Sequence, residues 1–213
     1  MTSSNTTIGA VCTGAGVGPT RIDKVLGIVG LGSRGFNLLD TFLKQADAQI
    51  VAVCDVDRPR AERYAKNPAL NGDGKRTLDI YNDHREMLQR DDIDAVICAT
   101  PDHWHTAVYV DALRAGKHVL VEKPMALSLA DADAMIDACH RAGVKLGVTL
   151  QRRAEPIFRQ IKAAIQAGDL GELTLGVVTM PYHRPQAYFD QAEWRGTWAL
   201  DGGGVLMNQG IHM

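Results

Sequence analysis

One six-residue loop limits what this chain can fold into more than any other feature. Gly30-Leu31-Gly32-Ser33-Arg34-Gly35 follows a short apolar run, Val25-Leu26-Gly27-Ile28-Val29, and precedes Phe36 to Leu43, whose apolar positions recur at helical spacing. Three glycines between a buried strand and a helix permit a tight turn, close approach of the backbone to a phosphorylated ligand, and close packing of helix on strand. The helix N-terminus adds free N–H groups and a positive dipole end for phosphate. A second run, Gln49-Ile50-Val51-Ala52-Val53-Cys54, ends in Asp55, twenty positions after Gly35. A carboxylate at that place accepts hydrogen bonds from a ribose 2′-hydroxyl and repels a 2′-phosphate. Gly30, Leu31, Gly32, Ser33, Arg34, Gly35 and Asp55 are therefore read as dinucleotide-binding. NAD is the expected cofactor, with NADP as the alternative because Arg34 and Arg58 lie close enough in sequence to accept a phosphate.

The same rhythm continues along the chain. Helices are expected over 59–66, with Pro59 in the first turn, over 83–89, over 105–115 with Gly116 closing it, and from a Ser128 cap to Ala142 with Gly143 closing it. Between them fall a weak strand at 78–81 and strong apolar runs at 95–99, 118–121 and 146–150, with a loop over 67–75. Continuously apolar strands alternating with helices indicate a parallel sheet covered on both faces. The expected architecture is α/β: a Rossmann-type doubly wound parallel sheet over 23–150, then the start of an incomplete C-terminal α/β domain over 151–213. That second part should hold a helix over 156–167, a strand over Leu173 to Met180 and an apolar run after Gly202-Gly203-Gly204. Residues 1–22 read as a flexible leader; Gly14 to Gly18 imitates a phosphate loop, but no amphipathic helix follows and Pro19 stops the pattern.

Composition narrows the function. With 46% apolar and 23% charged residues and a net charge of −2, the chain has an ordinary globular balance and no basic footprint for nucleic acid. Cys12, Cys54, Cys98 and Cys139 are scattered, which reads as reduced thiols rather than a zinc site. No basic leader with a sustained apolar core and no run of 18 apolar residues is present, so no signal or membrane span is expected and a cytoplasmic location follows.

Two later strand ends carry the candidate chemistry. Thr100-Pro101-Asp102-His103-Trp104-His105 follows one strand and Glu122-Lys123-Pro124 the next, both at the carboxyl edge where open α/β sheets bind ligands. Thr100, Pro101, His103, His105 and Glu122 are read as cofactor-binding, with His105 or Trp104 bordering the nicotinamide pocket; a helix-capping loop is the bland alternative for the first segment. No third ligand accompanies His103 and His105, so no metal is expected. A partly desolvated Lys123 beside a nicotinamide could orient a hydroxyl and exchange its proton. Asn208 and His212, four apart, would share a helix face, with His212 as general base. Arg184, Tyr188, Trp194, Arg195 and Trp198 suit a sugar ring and an anionic group, or equally ordinary packing.

Taken in order, the Gly30–Gly35 loop, Ala99-Thr100-Pro101-Asp102-His103, Glu122-Lys123-Pro124, and Gly202-Gly203-Gly204 with His212 resemble the glucose–fructose oxidoreductase, inositol dehydrogenase and MocA-type (Gfo/Idh/MocA) family from about Lys24 to Met213. The resemblance implies an NAD(P)-dependent oxidoreductase acting on a secondary alcohol carbon of a sugar, polyol or sugar derivative. It also implies Lys123 as the catalytic lysine, His212 as the proton-exchanging histidine, and homo-oligomeric full-length relatives. Asn208 departs from the aspartate of many members, and members usually run well past 300 residues, so this chain is expected to hold only the beginning of the second domain. The alternatives are an NAD-dependent glycoside hydrolase of the same fold and a catalytically inert cofactor-binding fragment.

Overall fold

The computed structural model describes residues 24–68 and 77–212. The expected leader, its Gly14–Gly18 segment, Cys12 and most of the 67–75 loop lie outside those residues. Six parallel strands form one sheet: β1 (Lys24–Val29), β2 (Ala48–Cys54), β3 (Asp79–Tyr81), β4 (Ala95–Cys98), β5 (His118–Glu122) and β6 (Leu146–Thr149). Their order across the sheet is β3-β2-β1-β4-β5-β6. The order reverses between β1 and β4, which pair from Leu26 with Ala95 to Val29 with Cys98. In open α/β sheets the ligand crevice lies at this switch, beyond the strand carboxyl ends.

Successive strand residues point to opposite faces, and both faces are filled. On one, Leu26, Ile28, Ile50, Val53 and Ile97 pack with Leu38 and Leu39 of α1 (Ser33–Leu43) and Ala61 of α2 (Arg58–Ala65). On the other, Val29, Val96, Cys98 and Val121 pack with Met87 of α3 (His84–Leu88), Tyr109 and Leu113 of α4 (His105–Arg114), and Met135 of α5 (Leu129–Ala142). Ile28, Leu39, Val96 and Tyr109 are fully buried, each contributing about 1.5–3 kcal/mol on the scale of a buried apolar side chain. Short caps set the helix ends as read: Ser128 Oγ accepts the Asp131 N–H at 3.1 Å, and Gly143 closes α5 in the left-handed region.

The part after β6 is helical. α6 (Pro156–Ala167) ends at left-handed Gly168, and short helices follow as α7 (Gln186–Asp190), α8 (Trp198–Asp201) and α9 (Val205–Asn208). The strand expected over Leu173 to Met180 does not form. A strand needs a ladder partner, and none of the six lies beside this segment, so Leu173, Leu175, Val177 and Val178 stay exposed. The Asn208–His212 helix face is also absent. α9 stops at Asn208, with Gln209 as its cap, and Gly210–His212 forms a separate 3₁₀ turn, because a four-residue helix with a glycine two positions beyond its end cannot sustain a further turn.

Gly35 is the closest backbone contact of the phosphate loop. A Cβ there would overlap the Gly30 carbonyl oxygen, whereas one at Gly32 would meet nothing within 4 Å. Gly35→Ala should lose about 1–3 kcal/mol of unfolding free energy in urea melts, the cost of overpacking. Gly32→Ala should stay within about 0.5 kcal/mol. Equal losses would contradict the packing assigned to Gly35.

Candidate functional site

Gly30 leaves β1 with φ +89, and a Cβ there would come within 2.7 Å of the Ala99 carbonyl and the Thr100 nitrogen. The chain can therefore turn only as glycine, pressed against the end of β4. No side chain caps α1 at Gly32, so its first-turn N–H groups are left for a ligand at the cavity that Gly32, Ser33 and Arg34 help to wall. Asp55 braces the loop from β2: its Oδ2 accepts the Leu31 N–H at 2.7 Å and its Oδ1 the Asp57 N–H at 2.9 Å, with Arg60 at 3.5 Å. Oδ1 keeps a second lone pair for a ribose hydroxyl, while Oδ2 is occupied by Leu31 and Arg60. A loop with glycine at three of its six positions, a helix N-terminus and a braced carboxylate together fit a dinucleotide.

The cavity beyond the strand ends measures about 1440 Å³, larger than the roughly 300–1,000 Å³ of a pocket for one small ligand. It has room for a cofactor and a second molecule. Thr100, Pro101, Glu122, Lys123 and Asn208 join the glycine loop and Asp55 in its wall. Glu122 ends β5 almost fully buried and binds Arg34, Oε1 accepting from Nε at 2.7 Å, which ties the loop to the lysine segment. The Lys123–Pro124 bond is cis. Lys123 Nζ donates to the Asn208 carbonyl oxygen at 2.8 Å and to its Oδ1 at 3.3 Å. Burial holds the Lys123 ammonium below the usual lysine range, while Asp102, Glu122 and Asp201 pull the other way. Because Asn208 is neutral, it steadies Lys123 without adding an opposite charge.

His212 is not part of the wall. Its Nδ1 is buried with no hydrogen-bond partner among the described residues. Burial first, then the charges of Lys123, Arg152 and Arg34, lower its pKa. A histidine so placed is neutral near pH 7 and able to accept a proton. His105 is likewise off the cavity. It is fully buried, with Nδ1 2.7 Å from the Pro124 carbonyl oxygen and Nε2 3.1 Å from that of Thr100, so it joins the two turns from behind. Trp104 takes the wall position instead, and His103 turns its Nδ1 to the Leu200 carbonyl at 3.3 Å.

Of the aromatic and basic stretch, Tyr188, Trp194 and Arg195 reach the wall. Arg195 lies 4.5 Å over the Tyr188 ring and 4.8 Å over Trp194, and donates to the Tyr188 hydroxyl at 2.7 Å. Trp198 is 84% exposed, and Arg184 only flanks the group. Sequence reasoning passed over Asp201 as a site residue and quoted Asp102 only as part of its motif. Both are buried beside Lys123. The available signal was position: Asp102 follows the β4 end, and Asp201 directly precedes three glycines.

The sheet order and the glycine loop define a Rossmann-type dinucleotide-binding protein with a lysine at the cavity. The oxidoreductase family model with an NAD-binding Rossmann fold, GFO_IDH_MocA, matches residues 24–150, and the GFO/IDH/MocA C-terminal domain model matches 158–213. The chain belongs to the Gfo/Idh/MocA family and carries its NAD-binding domain. Among solved structures, the WlbA dehydrogenase of Bordetella pertussis in complex with NADH and UDP-GlcNAcA is similar at TM-score 0.75 and 30% identity, over 89% of this chain and 56% of that one. The scyllo-inositol dehydrogenase of Lactobacillus casei with NAD(H) and scyllo-inositol is similar at TM-score 0.62 and 27% identity, over 70% and 43%. Among curated proteins, an alpha-N-acetylgalactosaminidase of Shewanella oneidensis is 34% identical over 118 residues, 54% of this chain and 26% of that one. The uncharacterized oxidoreductase YrbE of Bacillus subtilis is 28% identical over 188 residues, 88% and 51%. The chain thus spans between about a quarter and about half the length of these curated relatives. No helix among the described residues is long and apolar enough to cross a membrane.

A side chain at Gly32 would enter the open space that the free N–H groups face. Gly32→Val should leave the melting temperature nearly unchanged and weaken NADH binding at least tenfold in a fluorescence titration, about 1.4 kcal/mol. Unchanged affinity would remove the phosphate from this loop.

Proposed function

We propose that this chain is the cofactor and catalytic part of an NAD-dependent oxidoreductase that moves a hydride between nicotinamide and a secondary alcohol carbon of a sugar, polyol or sugar derivative. The observation that carries this reading is that the glycine loop, Asp55, Lys123 and Asn208 wall a single cavity. Gly30, Gly32, Gly35 and Asp55 would hold the cofactor, whose nicotinamide supplies hydride exchange when bound. NAD is favoured over NADP because Asp55 would repel a 2′-phosphate and the arginines around it are engaged, Arg34 by Glu122, Arg58 by Glu62 and Asn82, and Arg60 by Asp55 and Asp57.

In this account Lys123, fixed by the two Asn208 oxygens, directs a remaining N–H at the substrate oxygen and stabilises the charge that develops there. The family resemblance assigns the exchange of the hydroxyl proton to His212, which burial keeps neutral although it stands outside the cavity wall. Its lowered pKa keeps it in the base form at neutral pH, so the proton-accepting step should fail as pH falls and His212 takes up a proton. The aromatic wall of Tyr188 and Trp194 would receive the apolar face of a sugar ring, with Arg195 beside it for an anionic substituent. A sugar derivative or cyclic polyol as substrate is supported by the molecules held in the WlbA and scyllo-inositol dehydrogenase structures. Homo-oligomeric assembly of the full-length protein belongs to the same proposal.

A second reading, an NAD-dependent glycosidase, is favoured by the likeness to glycosyl hydrolase family 109 proteins at 32–33% identity and to the alpha-N-acetylgalactosaminidase at 34%. Both readings use the same lysine and cofactor. A panel of free sugars, polyols and aryl glycosides separates them: net NADH formation marks the dehydrogenase, and free sugar without net NADH marks the hydrolase. Lys123→Ala should lower turnover at least 10²-fold while leaving NADH affinity within about threefold, since the missing contact is to the reacting oxygen. Unchanged turnover would remove Lys123 from the chemistry. Cofactor binding without turnover on any substrate would favour a chain that binds NAD and does nothing to it.

A further inference from the structure

Two buried acids stand beside Lys123 without a counter-charge in contact. Asp102 opens the 3₁₀ turn Asp102–Trp104 after β4 and is 7% exposed; Asp201 ends α8 and is 3% exposed. Asp201 Oδ2 accepts the Gly196 N–H at 2.6 Å. The oxygens left over, Asp102 Oδ2 and Asp201 Oδ1, are buried and find no donor among the described residues. A buried carboxylate oxygen without a donor costs about 1–3 kcal/mol or more, and two ionised carboxyls side by side repel. One proton removes both penalties at once, because a protonated acid donates to its neighbour.

The surroundings fit this state. Asp201 is near enough to hydrogen-bond Asp102, and the other charges that act on Asp102 are Lys123 and Glu122 from the end of β5. His105, from α4, has its ring nitrogens against the Pro124 and Thr100 carbonyl oxygens, and with its pKa lowered by burial it has one N–H to donate to one of them. Burial above all, with the charge and hydrogen bond of Asp201 and the charge of Glu122 adding to it, pushes the Asp102 carboxyl up to about 7 against the opposing pull of Lys123. From α8 the chain runs through Gly202, Gly203 and Gly204 into α9, which delivers the two Asn208 oxygens to Lys123.

We propose that Asp102 and Asp201 share one proton, and that this bond latches α8 to the nucleotide-binding domain and so positions Asn208 on Lys123. The pair is assigned a positioning role: Asp201 lies off the cavity, and Asp102, which lines its wall, has its Oδ2 buried away from it. Its consequence for catalysis rests on the reading given under Proposed function; the latch itself does not, and its test uses the chain without cofactor or substrate.

A carboxyl whose folded pKa is raised contributes stability that is fully present below its unfolded pKa of about 4 and is lost as pH rises through about 7. Melting temperature of the 213-residue chain should therefore fall across that interval and level off above it. Asp102→Asn replaces the shared proton with a permanent amide donor. It should flatten the fall and leave the variant more stable than wild type above about pH 7. Carbon NMR of aspartate-labelled chain should show one carboxyl titrating near neutrality that Asp102→Asn abolishes. Hydrogen exchange at residues 205–208, corrected for intrinsic rates, should quicken at least tenfold with alkali in wild type only. If Asp102→Asn does not fold, Asp201→Asn gives the same prediction, since its amide can still accept from Gly196 and donate to Asp102. A pH dependence shared by wild type and variant, or all aspartates titrating in the ordinary acid range, would overturn the latch. NADH affinity measured alongside reports separately on the cofactor site.

Discussion

How closely α1 approaches the end of β1 decides what else the molecule can do. Gly35 lies on the Gly30 carbonyl, and Gly30 lies on the Ala99–Thr100 backbone, so helix, first strand and fourth strand meet with no side chain between them. That contact brings the helix N-terminus over the point where the sheet order reverses. The braced Asp55, the Arg34–Glu122 pair and the two turns joined by His105 are all built around this approach. A methyl group at Gly35 would separate the elements that the site needs together.

Burial then sets the chemistry. Lys123 is held by neutral oxygens of Asn208 and loses water, which weakens its hold on its proton. His212, also losing water and near three cations, stays neutral. The buried acids Asp102, Glu122 and Asp201 oppose the Lys123 shift. A group able to release a proton and a group able to accept one thus occupy the same end of the sheet, with different environments setting their tasks.

The sequence made the nucleotide-binding half legible for a physical reason. Continuously apolar strands, left-handed Gly143 at a helix end and the Ser128 cap are local signals, each read from a few neighbouring residues. Lys123 and Asn208 were legible as candidates, but their contact joins positions 85 residues apart, which no local pattern encodes. His105 shows the limit: at a strand end it reads as a ligand contact, while its burial between two carbonyls depends on how two turns pack. The 173–180 segment has a strand's composition, but β structure needs a partner as well as propensity. No local pattern marks Asp102 and Asp201 as a pair; only the fold buries them together.

The most direct test of the account is a fluorescence titration of the 213-residue chain with NADH and, in parallel, NADPH. The account predicts saturable NADH binding, weaker NADPH binding, and at least a tenfold loss of NADH affinity in Asp55→Ala, which removes both the brace on Leu31 and the ribose acceptor. A chain that is folded by circular dichroism yet binds neither cofactor would contradict it.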